Sequence, residues 1–410
     1  MKVLNDVLDI IKPSKKEEKE IEERIKKFIS RIKVKDAKII LGGSGAKGTW
    51  LKTTKDADIF IQFKYDKFHD KSDQLSDILE KQLKKSFKKL DRLHGSRDYF
   101  QVHENKFTFE IIPIMEIKKA ESALNITDVS PLHADFVKLV TKKNKRLPDE
   151  IRLMKQFCKV NRIYGAESYI NGFSGYMCEL LVINYGSFLK LMKAASKWKV
   201  KEVIDIKKFY KNKNVMFELN KSKLYSPLIL IDPVQEDRNA AAALSYEKFD
   251  LFIKKARAFV KKPTVKMFEE PKLDLDKLKK DFIVIEVKSL KGKEDVIGAK
   301  LVKAFNFINT ELTKEGFVVK KCDWLWDRDK KGYFIFKLGK DVDKIKILNG
   351  PSVSIKEHVV KFKKKHKDTF VKKGVIYARR KRKITKGKDY IVFLIQQEYF
   401  KERVKSGEML

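Results

Sequence analysis

At 410 residues the chain is too long for one ordinary core and calls for two or three domains, each burying its own apolar side chains. Its 93 lysines and arginines against 56 aspartates and glutamates leave +37, spread along the whole length, which fits a polyanionic partner held by phosphate neutralisation. No run of about 18 apolar residues and no signal-peptide pattern occur, and Cys158, Cys178 and Cys322 stand far apart with no CxxC, so a membrane span, a disulfide framework and a zinc knuckle are excluded and a soluble, cytoplasmic protein is expected.

Residues 15–33 place Ile21, Ile25, Phe28, Ile29 and Ile32 on one stripe with charges opposite, which predicts a surface helix. AKIILGG, DIFIQF and FTFEIIPIMEI are β-branched or aromatic runs bounded by turn residues and predict strands, with 71–91 helical between them. Residues 1–140 therefore read as an α/β domain. Residues 141–262 read as mostly helical: PDEIRLMKQFCKVNRIYG opens on Pro-Asp-Glu and closes at Gly165.

The third zone, 275–410, reads strand (FIVIEVK), helix (DVIGAKLVKAFNFINTEL), strand (FVVKKCDWLW), strand (YFIFKL), helix (SIKEHVVKFKKKH), strand (GVIYARR). That β-α-β-β-α-β order makes a four-stranded ferredoxin-like or RRM-like sheet, a common RNA-binding scaffold. Trp324, Trp326, Tyr333, Phe334 and Phe336 read as core aromatics or as base-stacking platforms, and no RNP1 pattern decides between them. ARRKRK, carrying Arg379, Arg380, Lys381 and Arg382, reads as a phosphate contact or as a nuclear-localisation run.

The chemistry-bearing stretch is GGSGAKGTWLKTTKDADIF. Alternation along DIFIQF sends Asp56 and Asp58 to the same side of a strand, where two carboxylates repel unless a cation lies between them. Glu110 interrupts the apolar run FTFEIIP and offers a third carboxylate on a neighbouring strand. Two divalent cations about 3.5–4 Å apart on such a triad stabilise the attacking and leaving oxygens of an in-line phosphoryl displacement. Upstream, Gly42 and Gly43 let backbone N–H groups approach a triphosphate, Ser44 offers a hydroxyl and Lys47 a charge, although neither a Walker A nor a Rossmann pattern is present.

A Gly-Ser, eleven intervening residues, Asp-x-Asp on an apolar strand and a third acid on a later strand resemble the polymerase-β-like nucleotidyltransferases. SGAKGTWLKTTKDADIFIQF, SPLHADFV, RLMKQFCKVNRIYGAE, GFSGYMCELLVINYGSF and LIDPVQEDRNAAAALS, in that order, are similar to the archaeal, or class I, CCA-adding enzymes. The resemblance covers about 40–260 and loosens beyond 275. It implies an α+β multidomain fold, with a nucleotidyltransferase head, a helical neck and a C-terminal tRNA-binding region. It also implies addition of C, C and A to the 3′ end of tRNA from CTP and ATP with Mg²⁺.

By the same resemblance Asp56, Asp58 and Glu110 are the catalytic, metal-binding carboxylates, and Gly43, Ser44 and Lys47 hold the triphosphate. His133, Lys155 and Tyr164 complete the nucleotide pocket, and Arg238, with Asn239, reads the base. The family commonly has Asp where Glu110 stands. HGSRDYF, a second Gly-Ser with no Asp-x-Asp behind it, reads as a loop near the growing 3′ end that touches RNA through His94 and Arg97. A poly(A)-type polymerase, an RNA-binding protein with an inactive transferase domain and a tRNA chaperone are the rival readings, and the choice between monomer and homodimer stays open.

Overall fold

The computed structural model describes residues 2–271 and 273–410. It divides the chain into two compact units, Met1–Pro271 and Lys272–Leu410.

The first unit begins with α1 (Lys2–Ile11), which buries Leu4, Val7 and Ile11. In α2 (Lys15–Ile29) Ser14 and Glu17 form a reciprocal capping box, satisfying N–H groups that helix geometry leaves without partners. Phe28 of this helix stacks on Phe109 with ring centroids 3.7 Å apart. Next come β1 (Ala37–Leu41), a one-turn α3 (Gly43–Lys47), β2 (Asp56–Phe63), α4 (Tyr65–Phe68) and α5 (Leu75–Leu83), then β3 (Asp91–Leu93), β4 (Tyr99–Glu104) and β5 (Phe107–Met115).

The five strands lie in the order β1-β2-β5-β4-β3, with β2 and β5 parallel and the other neighbours antiparallel. On one face Ala57, Ile59, Ile61 and Phe63 of β2 meet Phe107, Phe109 and Ile111 of β5 in a core closed by Phe28 and Leu79. The period-2 alternation leaves Asp56, Asp58 and Glu110 on the other face.

The segment 71–91 departs from the expected continuous helix. Residues 69–74 form a 3₁₀ stretch with Lys71 off helical geometry, and only Leu75, Leu79 and Leu83 keep the one-face spacing of a buried helix. β3 and β4 were not foreseen, because each is short and only Phe100 and Val102 bury fully.

A largely helical region follows, with α6 (Ser130–Lys143), α7 (Leu147–Val160), α8 (Gly175–Tyr185) and α9 (Phe188–Ala195). Beyond them β6 (Glu202–Asp205), a one-turn α10 (Val215–Glu218), β7 (Leu228–Ile231) and α11 (Tyr246–Lys261) complete the unit. Ser174, Ser187 and Ser245 cap α8, α9 and α11 through their hydroxyls. Phe157, Phe188, Phe252, Phe259 and Phe268 pack at the centre of this region.

The second unit runs α12 (Leu275–Asp281), β8 (Ile283–Lys288), α13 (Glu294–Glu315), β9 (Val319–Trp326), β10 (Lys331–Leu338), β11 (Ile345–Ser352) and α14 (Lys356–Lys365). It finishes with β12 (Thr369–Lys372), β13 (Val375–Lys381), α15 (Gly387–Ile395), α16 (Glu398–Lys401) and β14 (Ser406–Met409). A four-stranded antiparallel sheet of order β14-β8-β10-β9 gives the ferredoxin-like topology, but not with the expected second half.

SIKEHVVKFKKKH and GVIYARR correspond to α14 and β13, and β13 sits in a separate three-stranded sheet, β11-β13-β12. The reason is packing. α14 buries no residue, whereas α15 presses Ile391, Leu394 and Ile395 onto the core of α13 and the four-stranded sheet. Phe334 and Phe336 are fully buried there, and Trp324 and Trp326 pack half-buried against the same cluster, as the core reading of these aromatics expects.

Deleting residues 406–410 removes the strand that covers the β8 edge and the contact between Gly407 and Phe400. Limited proteolysis of the full-length variant is expected to cut within 272–410 at lower protease than in the wild type, with 1–271 equally resistant in both. Unchanged resistance of 272–410 would show that β14 adds nothing to this sheet.

Candidate active site

The acids stand where β2 and β5 run side by side, with Asp58 opposite Glu110 and Asp56 opposite Thr108. Glu110 Oε1 accepts a hydrogen bond from Gln101 Nε2 at 2.7 Å, across the β4–β5 pair. Burial first, then the charges of Glu110 and Asp56, push the Asp58 carboxyl up to about 7, with Lys47 and Lys155 pulling the other way.

The loop before β2 is shaped around this acid. Gly42 N–H donates to the Asp58 carbonyl at 2.8 Å, and Gly43 sits at φ +53° with the position of a Cβ only 1.6 Å from Asp58 Oδ2. A side chain at 43 would be both strained and in collision with the carboxylate. Ser44 and Lys47 follow within α3, which ends at Gly48 in the left-handed region.

Among the described residues, no three His, Cys, Asp or Glu side chains close into a ready metal cage. The donor set nevertheless suits a hard divalent cation: three carboxylates on adjacent strands, one with its ionised form disfavoured by burial and then by the other two.

Lys47 and Lys155 are brought together by a residue that the sequence reading did not single out. Glu179 of α8 is fully buried; its Oε2 accepts from Lys47 Nζ and its Oε1 from Lys155 Nζ, each at 2.7 Å. Thr49 Oγ1 joins the group, 2.9 Å from both Glu179 Oε1 and Lys155 Nζ. Burial opposes the charge on Glu179, but Lys155 and Lys47 outweigh it and hold the carboxyl below its ordinary range. An acid inside the apolar run MCELLVI was the available signal. Tyr164 belongs to the same neighbourhood, its hydroxyl pushed well up by burial and by Cys178, Glu179 and Asp56.

His133 and Arg238 meet on a second missed acid, Asp232. Arg238 Nη1 donates to Asp232 Oδ2, His133 Nε2 lies 3.0 Å from the same oxygen, and Tyr176 Oη donates to Oδ1 at 3.0 Å. Burial would raise this carboxyl, yet His133, Arg238 and the Val234 N–H hold it at about 2. The His133 and Tyr176 rings stack at 4.3 Å, and Lys47 Nζ lies 5.9 Å from the Tyr176 ring centroid, which links the two groups. The Asn239 amide goes to backbone: its Oδ1 accepts from Leu230 and Ala241 N–H, and its Nδ2 donates to the Lys223 and Leu228 carbonyls.

Two expected RNA contacts are corrected. Arg97 is buried and pairs with the fully buried Asp128, with Ser72 Oγ at 2.7 Å, so its guanidinium braces the loop from within. His94 is exposed, its ring nitrogen 2.8 Å from Asp98. Arg382 is likewise turned inward, donating to the carbonyls of Glu315, Asp343 and Ile345. Arg380 pairs with Glu315, and Arg379 pairs with Asp368 while its guanidinium lies over the Phe370 ring; Lys381 is exposed.

The five-stranded sheet with its acids and Gly-Ser loop defines a polymerase-β-like nucleotidyltransferase. The Cid1 poly(U) polymerase shares the fold at TM-score 0.53 and 16% identity, covering 66% of this chain and 98% of that one. Residues 21–152 match the nucleotidyltransferase domain family, 149–269 the second domain of tRNA nucleotidyltransferases, and 280–406 the C-terminal domain of CCA-adding enzymes. The CCA-adding enzyme of Nanoarchaeum equitans is 37% identical over 343 residues, 83% of this chain and 82% of the relative. That of Methanocaldococcus jannaschii is 31% identical over 400 residues, 92% and 86% respectively. The chain belongs to the CCA-adding enzyme family.

Two stability measurements probe this site. With a folded value near 7 against an ordinary 3.8, folded Asp58 holds a proton that the unfolded chain releases, so metal-free stability falls as pH rises through that window. Asp58→Asn is expected to raise the metal-free Tm at pH 8 and to abolish any Tm gain from a divalent cation; a lower Tm in the variant would overturn the like-charge account. Glu179→Leu leaves Lys47 and Lys155 without their shared carboxylate and is expected to cost about 3–5 kcal/mol in urea denaturation, against under about 1 kcal/mol for an exposed pair.

Proposed function

We propose that this chain is a template-independent CCA-adding enzyme, extending the 3′ end of tRNA by C, C and A from CTP and ATP. The observation that carries the reading is the pairing of Asp58 with Glu110 beneath Gly43, in a chain whose nucleotidyltransferase domain match at 21–152 is followed by a tRNA nucleotidyltransferase second domain at 149–269 and a CCA-adding enzyme C-terminal domain at 280–406. Superfamily enzymes use divalent cations, and Mg²⁺ is the one proposed here, held by Asp56, Asp58 and Glu110. When bound it supplies charge neutralisation and Lewis acidity at the oxygens of the displacement.

The remaining chemistry is positioning and electrostatics by the chain. Gly43, with no Cβ, and the Ser44 hydroxyl receive the triphosphate, and Lys47 and Lys155 face its negative charge. Glu179 fixes both ammonium groups, so little reorganisation is needed when the nucleotide arrives. Arg238 offers a planar fork to the base edge, kept in orientation by Asp232, while His133 and Tyr164 shape the pocket wall. Asn239 acts through the turn that presents Arg238. The tRNA body is assigned to 275–410, with Arg379, Arg380 and Lys381 as phosphate contacts.

The test is incubation of the purified chain with Mg²⁺ and a tRNA lacking CCA, with CTP, ATP or both, resolved at one nucleotide. Two residues from CTP alone and a third only with ATP present are expected, and Asp58→Ala is expected to lower incorporation at least about 10³-fold with RNA binding kept. A long ladder from ATP alone would move the assignment to a poly(A)-type polymerase. An unaffected Asp58→Ala would overturn the site.

A further inference from the structure

The connection between β6 and β7 contains KKFYKNKNVMFELNKSKLY, residues 207–225, with six lysines and one glutamate. It folds on a small core of its own, where Val215 and Leu219 pack with Ile229 and Ile231 of β7 under cover of Tyr210, Met216 and Leu224. Phe217 lies outside that core. It is 86% exposed and Tyr225 is 75% exposed, the two most exposed large hydrophobic side chains among the described residues. Single exposed apolar residues are ordinary, but two extreme cases eight positions apart on one basic segment are not scatter.

In the same segment, Lys208, Lys211, Lys213, Asn212 and Asn214 line an open groove of about 550 Å³, with one carboxylate, Asp205, that accepts the Tyr210 N–H at 2.9 Å. The three lysines and Lys221 have no ion-pair partner among the described residues. The segment is also tied to the turn that presents Arg238. Tyr210 Oη donates to the Glu236 carbonyl at 2.9 Å, Lys223 Nζ to Asp237, and Asn239 Nδ2 to the Lys223 carbonyl at 2.9 Å.

We propose that residues 207–225 are a landing surface for single-stranded RNA, with Phe217 and Tyr225 stacking unpaired bases and Lys208, Lys211 and Lys213 holding the phosphates between them. The proposal rests on the CCA-addition reading and adds to it a surface for the unpaired strand. Unpaired bases present π-faces that a duplex hides within its stack, and aromatic stacking tolerates any base, which suits a strand whose terminal nucleotide changes at each addition. The lysine excess complements phosphate, whereas a protein docking on this face would have to supply acids of its own.

The test is fluorescence anisotropy of the full chain with a labelled single-stranded oligocytidylate and with CCA-less tRNA, in the absence of CTP. Phe217→Ala and Tyr225→Ala are each expected to weaken oligocytidylate binding by about tenfold, with Tm and the KM for CTP unchanged. Replacing Lys208, Lys211 and Lys213 together by Ala is expected to reduce the slope of log affinity against log salt by about 2. Unchanged affinity and slope in all variants would overturn the proposal. So would self-association in sedimentation velocity that the Phe217→Ala/Tyr225→Ala variant abolishes while RNA binding stays intact, since the face would then join two copies of the chain.

Because binding is read without nucleotide, the two readings separate. A wild-type chain that binds oligocytidylate through these rings yet adds no CCA keeps this surface and loses the activity assignment. A chain that adds CCA with both ring variants binding normally does the reverse.

Discussion

Three carboxylates of like charge on two adjacent strands, one pair directly in register, is the constraint to which the rest of the site is fitted. Such a cluster cannot stay fully ionised in a partly buried setting without cations, and Asp58 absorbs the conflict. The surrounding residues limit that conflict without removing it. Lys47 and Lys155 lower the cost of the Asp58 charge but are themselves tied to Glu179, so neither is drawn into a direct ion pair with the acids. The acid set thus keeps its excess negative charge, while the lysines stay ordered on Glu179.

The same device recurs around Asp232. Asp232 is fully buried yet kept ionised because His133, Arg238 and a backbone N–H converge on it. A half-exposed arginine beside a fixed buried carboxylate has its fork pre-oriented, so less rotamer entropy is lost when it takes a further hydrogen-bonding partner. Glu179 and Asp232 are both anchors for cations, and Tyr176 touches both groups, through its hydroxyl to Asp232 and its ring to Lys47. The two groups of cationic side chains are therefore organised by two buried acids, Glu179 and Asp232.

Sequence reading reached the carboxylates because strand alternation is a local rule: Asp56, Asp58 and Glu110 each break an apolar pattern whose other members face the core. It missed the buried anchors because Glu179 and Lys47 are 132 positions apart and no period links them. It also misassigned Arg97 and Arg382, since a basic residue announces its charge but not whether it turns toward solvent or toward a buried acceptor. In 272–410 the β-α-β-β-α-β order was legible, yet α14 and β13 were taken for α15 and β14. A four-residue strand as polar as SGEM carries almost no pattern, and its place is set by the open edge of β8 and by Phe400 against Gly407.

The glutamate at the third acidic position shows how a longer side chain is accommodated at this acidic edge of the sheet. Glu110 has one more rotatable bond than an aspartate, and an unrestrained carboxylate there would sample positions away from Asp58. Gln101 stands directly across the β4–β5 ladder from it and donates to Oε1, which removes much of that freedom. The pairing is geometric: a register shift of one residue would turn Gln101 to the core face, where Phe100 and Val102 belong. The register that buries these two side chains is the same one that holds the longer acid in place, so packing on one face of the sheet and orientation of the carboxylate on the other cannot be altered separately.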